Sequence, residues 1–307
     1  MFKIIKNSFS LLQNSFLTFI YKLKPKYFFY QSFNLFQNYS AKPQIIGFEL
    51  SNNTRLGNRG EILYLPNDTY LAWYLMKYGE LKYPISDYIN NKLEKIHSYT
   101  FIDIGANVGF TSIDVFTKNS NIKQIICVEP VKNSFLCLEK NTSNFKDKLL
   151  FNFALGKDNS TKSIYVDNSN QGNASLVKSM MNTSKYNSYH TEEIKVKSVN
   201  DFFLEIKDRI INQQLIIKID TQLYDELIFS LLPEEIIKNT HMVCFEFTHL
   251  DKIKGPKFSS EMFSKNLDYF NYIWSEDLGK ITKEELIKMC SKDNNIKYSE
   301  TDIYLIK

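Results

Sequence analysis

The stretch Thr100–Gly109, TFIDIGANVG, constrains the fold of this chain most strongly, together with Cys127-Val128-Glu129-Pro130 downstream. An apolar run enters a glycine-containing turn, a helix is expected to follow, and a second apolar run ends in an acid. This is the pattern of a β-α-β unit facing a nucleoside. A carboxylate about twenty residues past such a turn can accept hydrogen bonds from ribose hydroxyls. Gly105 and Gly109 let the backbone approach a ligand closely and tolerate positive φ. A dinucleotide fingerprint would carry glycine where this chain has Asn107, whose side chain crowds a diphosphate. Asp103 adds negative charge where phosphates would lie. A cofactor with a cationic centre and no phosphate fits better, and S-adenosylmethionine meets that description. A nicotinamide-dependent oxidoreductase is the disfavoured alternative.

Strands and helices alternate after this unit. Expected strands are Thr100–Ile104, Gln124–Val128, Leu149–Phe153, Leu215–Ile219, Met242–Phe247, Tyr272–Trp274 and Ile303–Ile306. Expected helices are Gly109–Lys118, Lys132–Asn141, Ser198–Lys207 and Tyr224–Leu232. Continuous apolar runs such as LIIKI and MVCFEF suit a parallel sheet covered on both faces. The expectation is an α/β Rossmann-like fold with a mostly parallel seven-stranded sheet. An inserted antiparallel pair, Ile164–Val166 with Ile194–Val199, would enclose the polar loop Asp167–His190, a candidate lid. Residues 46–98 read as a lead-in, with a strand pair between Gly47 and Tyr64 and helices at Thr69–Tyr78 and Tyr88–Ile96. The main domain is expected over 99–307.

Residues 1–45 form an expected N-terminal helical extension, apolar with interspersed lysines, in which Pro25 should end the helix marked by Phe9, Leu12, Phe16 and Ile20. It suits packing on the domain or a second subunit, or a membrane surface. No stretch there reaches the roughly twenty consecutive apolar residues a span requires. The net charge of +4 over 307 residues, with both signs interspersed, falls short of the basic clusters that mark nucleic-acid binding. Cys127, Cys137, Cys244 and Cys290 show neither metal-ligand spacing nor a disulfide framework. A cytoplasmic location, peripheral at most to the inner face of the membrane, is the resulting expectation.

In an open α/β sheet, ligands bind beyond the carboxyl ends of the strands. Candidate cofactor residues are therefore Asp103, Gly105, Ala106, Asn107 and Gly109 at the first turn, Glu129 and Pro130 at the second, and Asn152, Phe153 and Ala154 at the third. Glu129 is assigned to the ribose, Asp103 with Asn107 to the cofactor's ammonium, and Asn152 and Phe153 to the adenine. Asp220, Glu246 and His249 follow the next two strands. Methyl transfer to an alcohol requires removal of the hydroxyl proton, so a carboxylate there can serve as base. Asp220 is the first candidate, with Glu246 and His249 as alternatives. No metal site is expected.

FIDIGANVGFTS, CVEPVKNSFLCLEKN, FNFALG and IKIDTQLYDELIF, in this order, resemble successive motifs of FkbM-type S-adenosylmethionine-dependent methyltransferases, and LYLPNDTYLAWYLMKYGE is similar to their lead-in. The resemblance spans about Tyr64 to Phe247. It implies a class I methyltransferase fold and O-methylation of a sugar, polyketide or glycolipid, here expected to be a surface polysaccharide or glycolipid. It further implies that Gly79-Glu80 approaches the methionine end and that Gly172-Asn173-Ala174-Ser175 closes near the cofactor. One departure stands out: Leu223 occupies the position where the family shows glycine. If that residue adopts positive φ, leucine is strained there or the turn is remodelled. A catalytically silent methyltransferase-like binding module is the alternative this departure raises.

Overall fold

The computed structural model describes residues 45–49, 57, 60–66, 70–71, 84–93, 98–182, 188–248, 255–290 and 300–307. The expected N-terminal helical extension, most of the helix expected at Thr69–Tyr78, Gly79-Glu80 and His249 lie outside these residues.

The sheet that positions the site is eight-stranded. Its parallel part runs β5 (Lys148–Phe151), β4 (Ile122–Val128), β3 (Tyr99–Ile104), β9 (Gln214–Ile219) and β10 (Thr240–Thr248), in that spatial order. β13 (Glu300–Ile306) joins β10 antiparallel, and β11 (Tyr272–Ser275) pairs antiparallel with β13. The two-residue strand β12 (Gly279–Lys280) closes the edge and adds to the seven expected strands. From β3 the chain builds outward through β4 and β5, then returns to the other side of β3 as β9. This reversal creates a switch point between β3 and β9, where open α/β sheets leave a crevice.

Alternation along the strands sorts the core into two layers, because successive side chains leave opposite faces. Ile102, Ile104, Ile126, Val128, Ile217, Ile219 and Phe245 join Phe202, Phe203 and Ile206 of α4 (Val199–Ile210) and Phe229 of α5 (Asp225–Ser230). On the opposite face, Phe101, Ile125, Cys127, Ile216 and Cys244 meet Ile89 of α1 (Pro84–Lys92), Val115 of α2 (Phe110–Lys118) and Leu138 of α3 (Lys132–Asn141). Every residue of YTFIDI in β3 is buried, Asp103 included. Coverage on both faces thus explains the uninterrupted apolar runs, and it forces any polar side chain among them to find a partner.

Three helices complete the described set: α6 (Glu234–Asn239), α7 (Ser260–Leu267) and α8 (Lys283–Cys290). A three-stranded sheet stands beside the main one. In it β6 (Ala154–Gly156) runs parallel to β8 (Tyr189–Ser198), and β7 (Ser160–Asp167) pairs antiparallel with β8. The strand expected to reach Phe153 ends at Phe151, and Ala154 starts a strand of this second sheet. The lead-in strands β1 (Ile45–Glu49) and β2 (Ile62–Pro66) form an antiparallel pair. Asn141 ties β2 to the site turn, with Nδ2 donating to both Tyr64 O and Val108 O at 2.9 Å.

Candidate functional site

An open cleft of about 640 Å³, solvent at its mouth included, lies at the carboxyl ends of β3, β4 and β9. Gly105, Asn107, Glu129, Pro130, Ala154 and Asp220 all line it, so residues from four separate stretches of sequence converge there. The Gly105 turn has no room for a side chain. Its φ is +81°, and a Cβ would stand 1.8 Å from the Asp220 carbonyl oxygen. Asp220 N in turn donates to Ile104 O at 2.9 Å. The first and fourth strand ends are therefore packed backbone to backbone.

Glu129 is 5% exposed, and its carboxylate is fixed from both sides. Asn107 N donates to one oxygen at 2.8 Å and Val131 N to the other at 2.7 Å. Burial lifts the carboxyl to about 7, although these two amides favour the anion. Each oxygen keeps a free lone pair, so the group can still accept from a diol. Asn107 has φ +51°, a left-handed conformation that asparagine tolerates. Its Oδ1 is buried with no hydrogen-bond partner among the described residues. Opposite it, a Cβ on Gly172 would come within 3.0 Å of Asn107 Nδ2. An orphaned acceptor, a ribose-type carboxylate and two glycine close approaches suit a nucleoside bearing a cationic amino-acid tail.

Several expectations need correction. Asp103 does not face the cleft. Its carboxylate is fully buried behind the turn, accepting from Lys218 Nζ at 3.0 Å and from Ser112 Oγ at 2.6 Å. An acid already neutralised in this way is not placed to hold an ammonium, and Asn107 Oδ1 is the acceptor left available. Phe153 packs its ring near Phe151 and Phe202, at centroid distances of 5.4 and 6.1 Å, so it belongs to the core edge and not to an adenine wall. Asn152 points its amide back to Glu129 O at 2.9 Å and Pro130 O at 3.1 Å, bracing the turn. Ala106 packs in the second core layer. Gly109, with φ +86°, opens α2 and lies against Leu138, where a Cβ would approach to 2.6 Å. These four residues shape the site from behind and do not line it.

The acceptor side gathers acids. Asp220, with 40% of its side chain exposed, receives Lys218 Nζ at 3.2 Å. Gln222 Nε2 donates to Asp220 Oδ1 at 3.4 Å and to Glu246 Oε2 at 3.1 Å. Glu246 is raised well above the ordinary carboxylate range, by burial first and then by Asp220. Asp302 on β13 is raised to about 7 for the same two reasons. Asp225 accepts from Thr221 N at 3.2 Å and is likewise raised, by burial and by Asp220.

Leu223 has φ +82°, so the turn keeps the backbone form that glycine would favour. A Cβ on Gly255 would meet Leu223 O at 2.3 Å, so this turn too is closed from outside. The Leu223 side chain is buried against Met180 and Met181. Ser175 Oγ donates to Gln222 O at 2.8 Å. The loop expected as a lid is thus tied to the Asp220 turn through Ser175 and through Met180 and Met181. Lys218 escaped sequence reasoning. A lysine inside the apolar run LIIKI was its signal, since a buried ammonium demands carboxylate partners.

The Methyltransferase FkbM domain model matches residues 103–279. The chain belongs to the FkbM methyltransferase family. The match covers 177 of the 307 residues (279 − 103 + 1) and contains the end of β3 and all of β4, β9 and β10, with the turns that follow them. Methyltransferase membership sets aside the nicotinamide-dependent alternative. Among solved structures, the chain is similar to the FkbM methyltransferase of Methylobacillus flagellatus at 12% identity and TM-score 0.35, covering 73% of this chain and 48% of that one. It is similar to precorrin-6y C5,15-methyltransferase of Geobacter metallireducens at 11% and 0.35, covering 73% and 88%. M. capricolum TrmK, solved in complex with S-adenosyl-homocysteine, gives 10% and 0.34, covering 74% and 70%. A search of curated proteins gives no match. No described helix is long and apolar enough to cross a membrane.

Proposed function

We propose that this FkbM methyltransferase transfers the methyl group of S-adenosylmethionine to a hydroxyl of a carbohydrate in a surface polysaccharide or glycolipid. The observation that carries the reading is the Asp220 carboxylate at the cleft, on a turn packed directly against Gly105. Glu129 would hold the ribose, Asn107 Oδ1 the ammonium, and the Gln171–Ser175 stretch would cover the nucleoside. When bound, the sulfonium supplies an activated methyl group and its own leaving group. The chain's task is then alignment and proton removal. Asp220 accepts the hydroxyl proton as the C–O bond forms, while Gln222 steadies its carboxylate. The Asp220 carboxylate at the cleft makes this side unwelcoming to phosphates, which favours a neutral polyhydroxyl acceptor over a nucleic acid.

The test is transfer of labelled methyl from S-adenosylmethionine into cell-envelope extracts. Label is expected in a carbohydrate fraction, and Asp220→Asn should lower the rate by roughly 10²–10⁴. Label in a protein or nucleic-acid fraction would overturn the proposed acceptor. S-adenosylhomocysteine binding with no transfer to any fraction would favour the silent binding module that Leu223 raises.

A further inference from the structure

We propose that Lys218 is a positioning residue that links the cofactor turn to Asp220 and keeps Asp220 the ionised member of its carboxylate cluster; this rests on the reading of Asp220 as the base. Lys218 is 4% exposed and lies directly opposite Asp103 in the β3–β9 register. Its Nζ reaches Asp103 Oδ1 at 3.0 Å, Asp220 Oδ2 at 3.2 Å and Gly105 O at 3.4 Å. An ammonium has three donors, and here each has one acceptor.

Charge counting gives the consequence. Asp103 is sealed between sheet and helix, so Lys218 must neutralise it. Asp220 shares the same cation but opens onto the cleft, so the surplus negative charge of the trio resides there. The groups facing Asp220 are Lys218 from its own strand, Glu246 from β10, Asp225 from α5 and Asp302 from β13. Of these acids, Asp220 is the one whose carboxylate touches the ammonium. Burial opposes charge on Lys218, and Asp103 with Asp220 more than reverses it, so the lysine stays protonated and acts only through its partners. The sequence K-I-D thus places a cation and an anion on alternate positions of one strand end.

Lys218→Met alone would leave Asp103 buried and uncompensated, so the decisive variant is Asp103→Asn with Lys218→Met, a neutral pair in place of an ionic one. Folding is checked by circular dichroism, and protonation by ¹³C-carboxyl NMR of the full chain, with the Asp220 signal assigned through Asp220→Asn. The Asp220 carboxyl should take up its proton at least one pH unit higher in the double variant than in the unaltered protein. Lys218→Arg, which keeps the charge, should leave it within a few tenths. An unchanged Asp220 signal in the double variant would overturn the proposal, because the lysine would then serve only to neutralise Asp103. So would a shift of one pH unit or more in Lys218→Arg, a reading that also decides the matter if the double variant does not fold. The two readings fail separately: a missing NMR shift removes Lys218's role, whereas absent methyl transfer by the unaltered protein removes Asp220's.

Discussion

If the buried Glu129 carboxylate at the end of β4 holds the ribose as proposed, cofactor affinity depends on pH, with a sign that its burial sets. Burial lifts Glu129 from an ordinary 4.5 to about 7. At about 1.36 kcal/mol per pH unit, this difference corresponds to roughly 3 kcal/mol. A ribose whose hydroxyls donate to both oxygens selects the anion, so binding below pH 7 must expel a proton. S-adenosylhomocysteine should therefore bind about tenfold more weakly at pH 6 than at pH 8, and about a hundredfold more weakly at pH 5. Calorimetry in buffers of different ionisation enthalpy should show close to one proton released per ligand at pH 6. Folding stability carries the same signature. The folded state binds more protons than the unfolded state between pH 4.5 and 7, so the contribution of Glu129 is fully present below that window and is lost as pH rises through it. Asp302 also lies near 7, so Glu129→Gln is the control. That variant should bind weakly and with a flat profile. Equal affinity of the unaltered protein at pH 5.5 and pH 8 would refute the ribose assignment.

Gly105→Ala should abolish S-adenosylhomocysteine binding measured by calorimetry, since its Cβ would stand 1.8 Å from the Asp220 carbonyl oxygen at a φ of +81°. Leu223→Ala should lower stability in a denaturant titration by about 2–4 kcal/mol, because it empties the contact with Met180 and Met181 and relieves no backbone strain. Asn266 is buried, and its Nδ2 donates to Phe229 O at 2.8 Å near the end of α5. Asn266→Ala should cost about 1–3 kcal/mol by the same measurement, while methyl-donor affinity stays unchanged.

The parallel strands were legible because burial on both faces leaves long apolar runs, and the first two turns because glycine and glutamate have few other reasons to stand there. What escaped was decided by partners distant in sequence. Asp103 looked available until β9 set Lys218 beside it, 115 residues away. Phe153 stands at a strand end where an aromatic ring can face a ligand or the core, and only the position of Phe202 on α4 settles which. The helices at Glu234–Asn239, Ser260–Leu267 and Lys283–Cys290 went unread, being of only six to eight residues with too few turns for a clear period. Asn152 and Phe153 leave the ladder where the chain crosses between two sheets, a break that local propensity does not announce.

Leu223 shows how a departure from a family pattern can be absorbed. A non-glycine residue in the left-handed region costs roughly 1–2 kcal/mol. Full burial of a leucine side chain returns about 1.5–3 kcal/mol, and this one is 4% exposed. The surroundings over-determine the turn in any case: Gly255 closes on the Leu223 carbonyl, Ser175 holds the Gln222 carbonyl, and Asp225 receives Thr221 N. The leucine therefore exchanges backbone ease for a contact with the Met180–Met181 segment that glycine would not make. That contact joins the acceptor turn to the same inserted stretch whose Gly172 sits over Asn107. The Leu223 side chain thus links the turn to that inserted stretch, and the carboxylate of Asp220, three residues earlier, stays at the cleft.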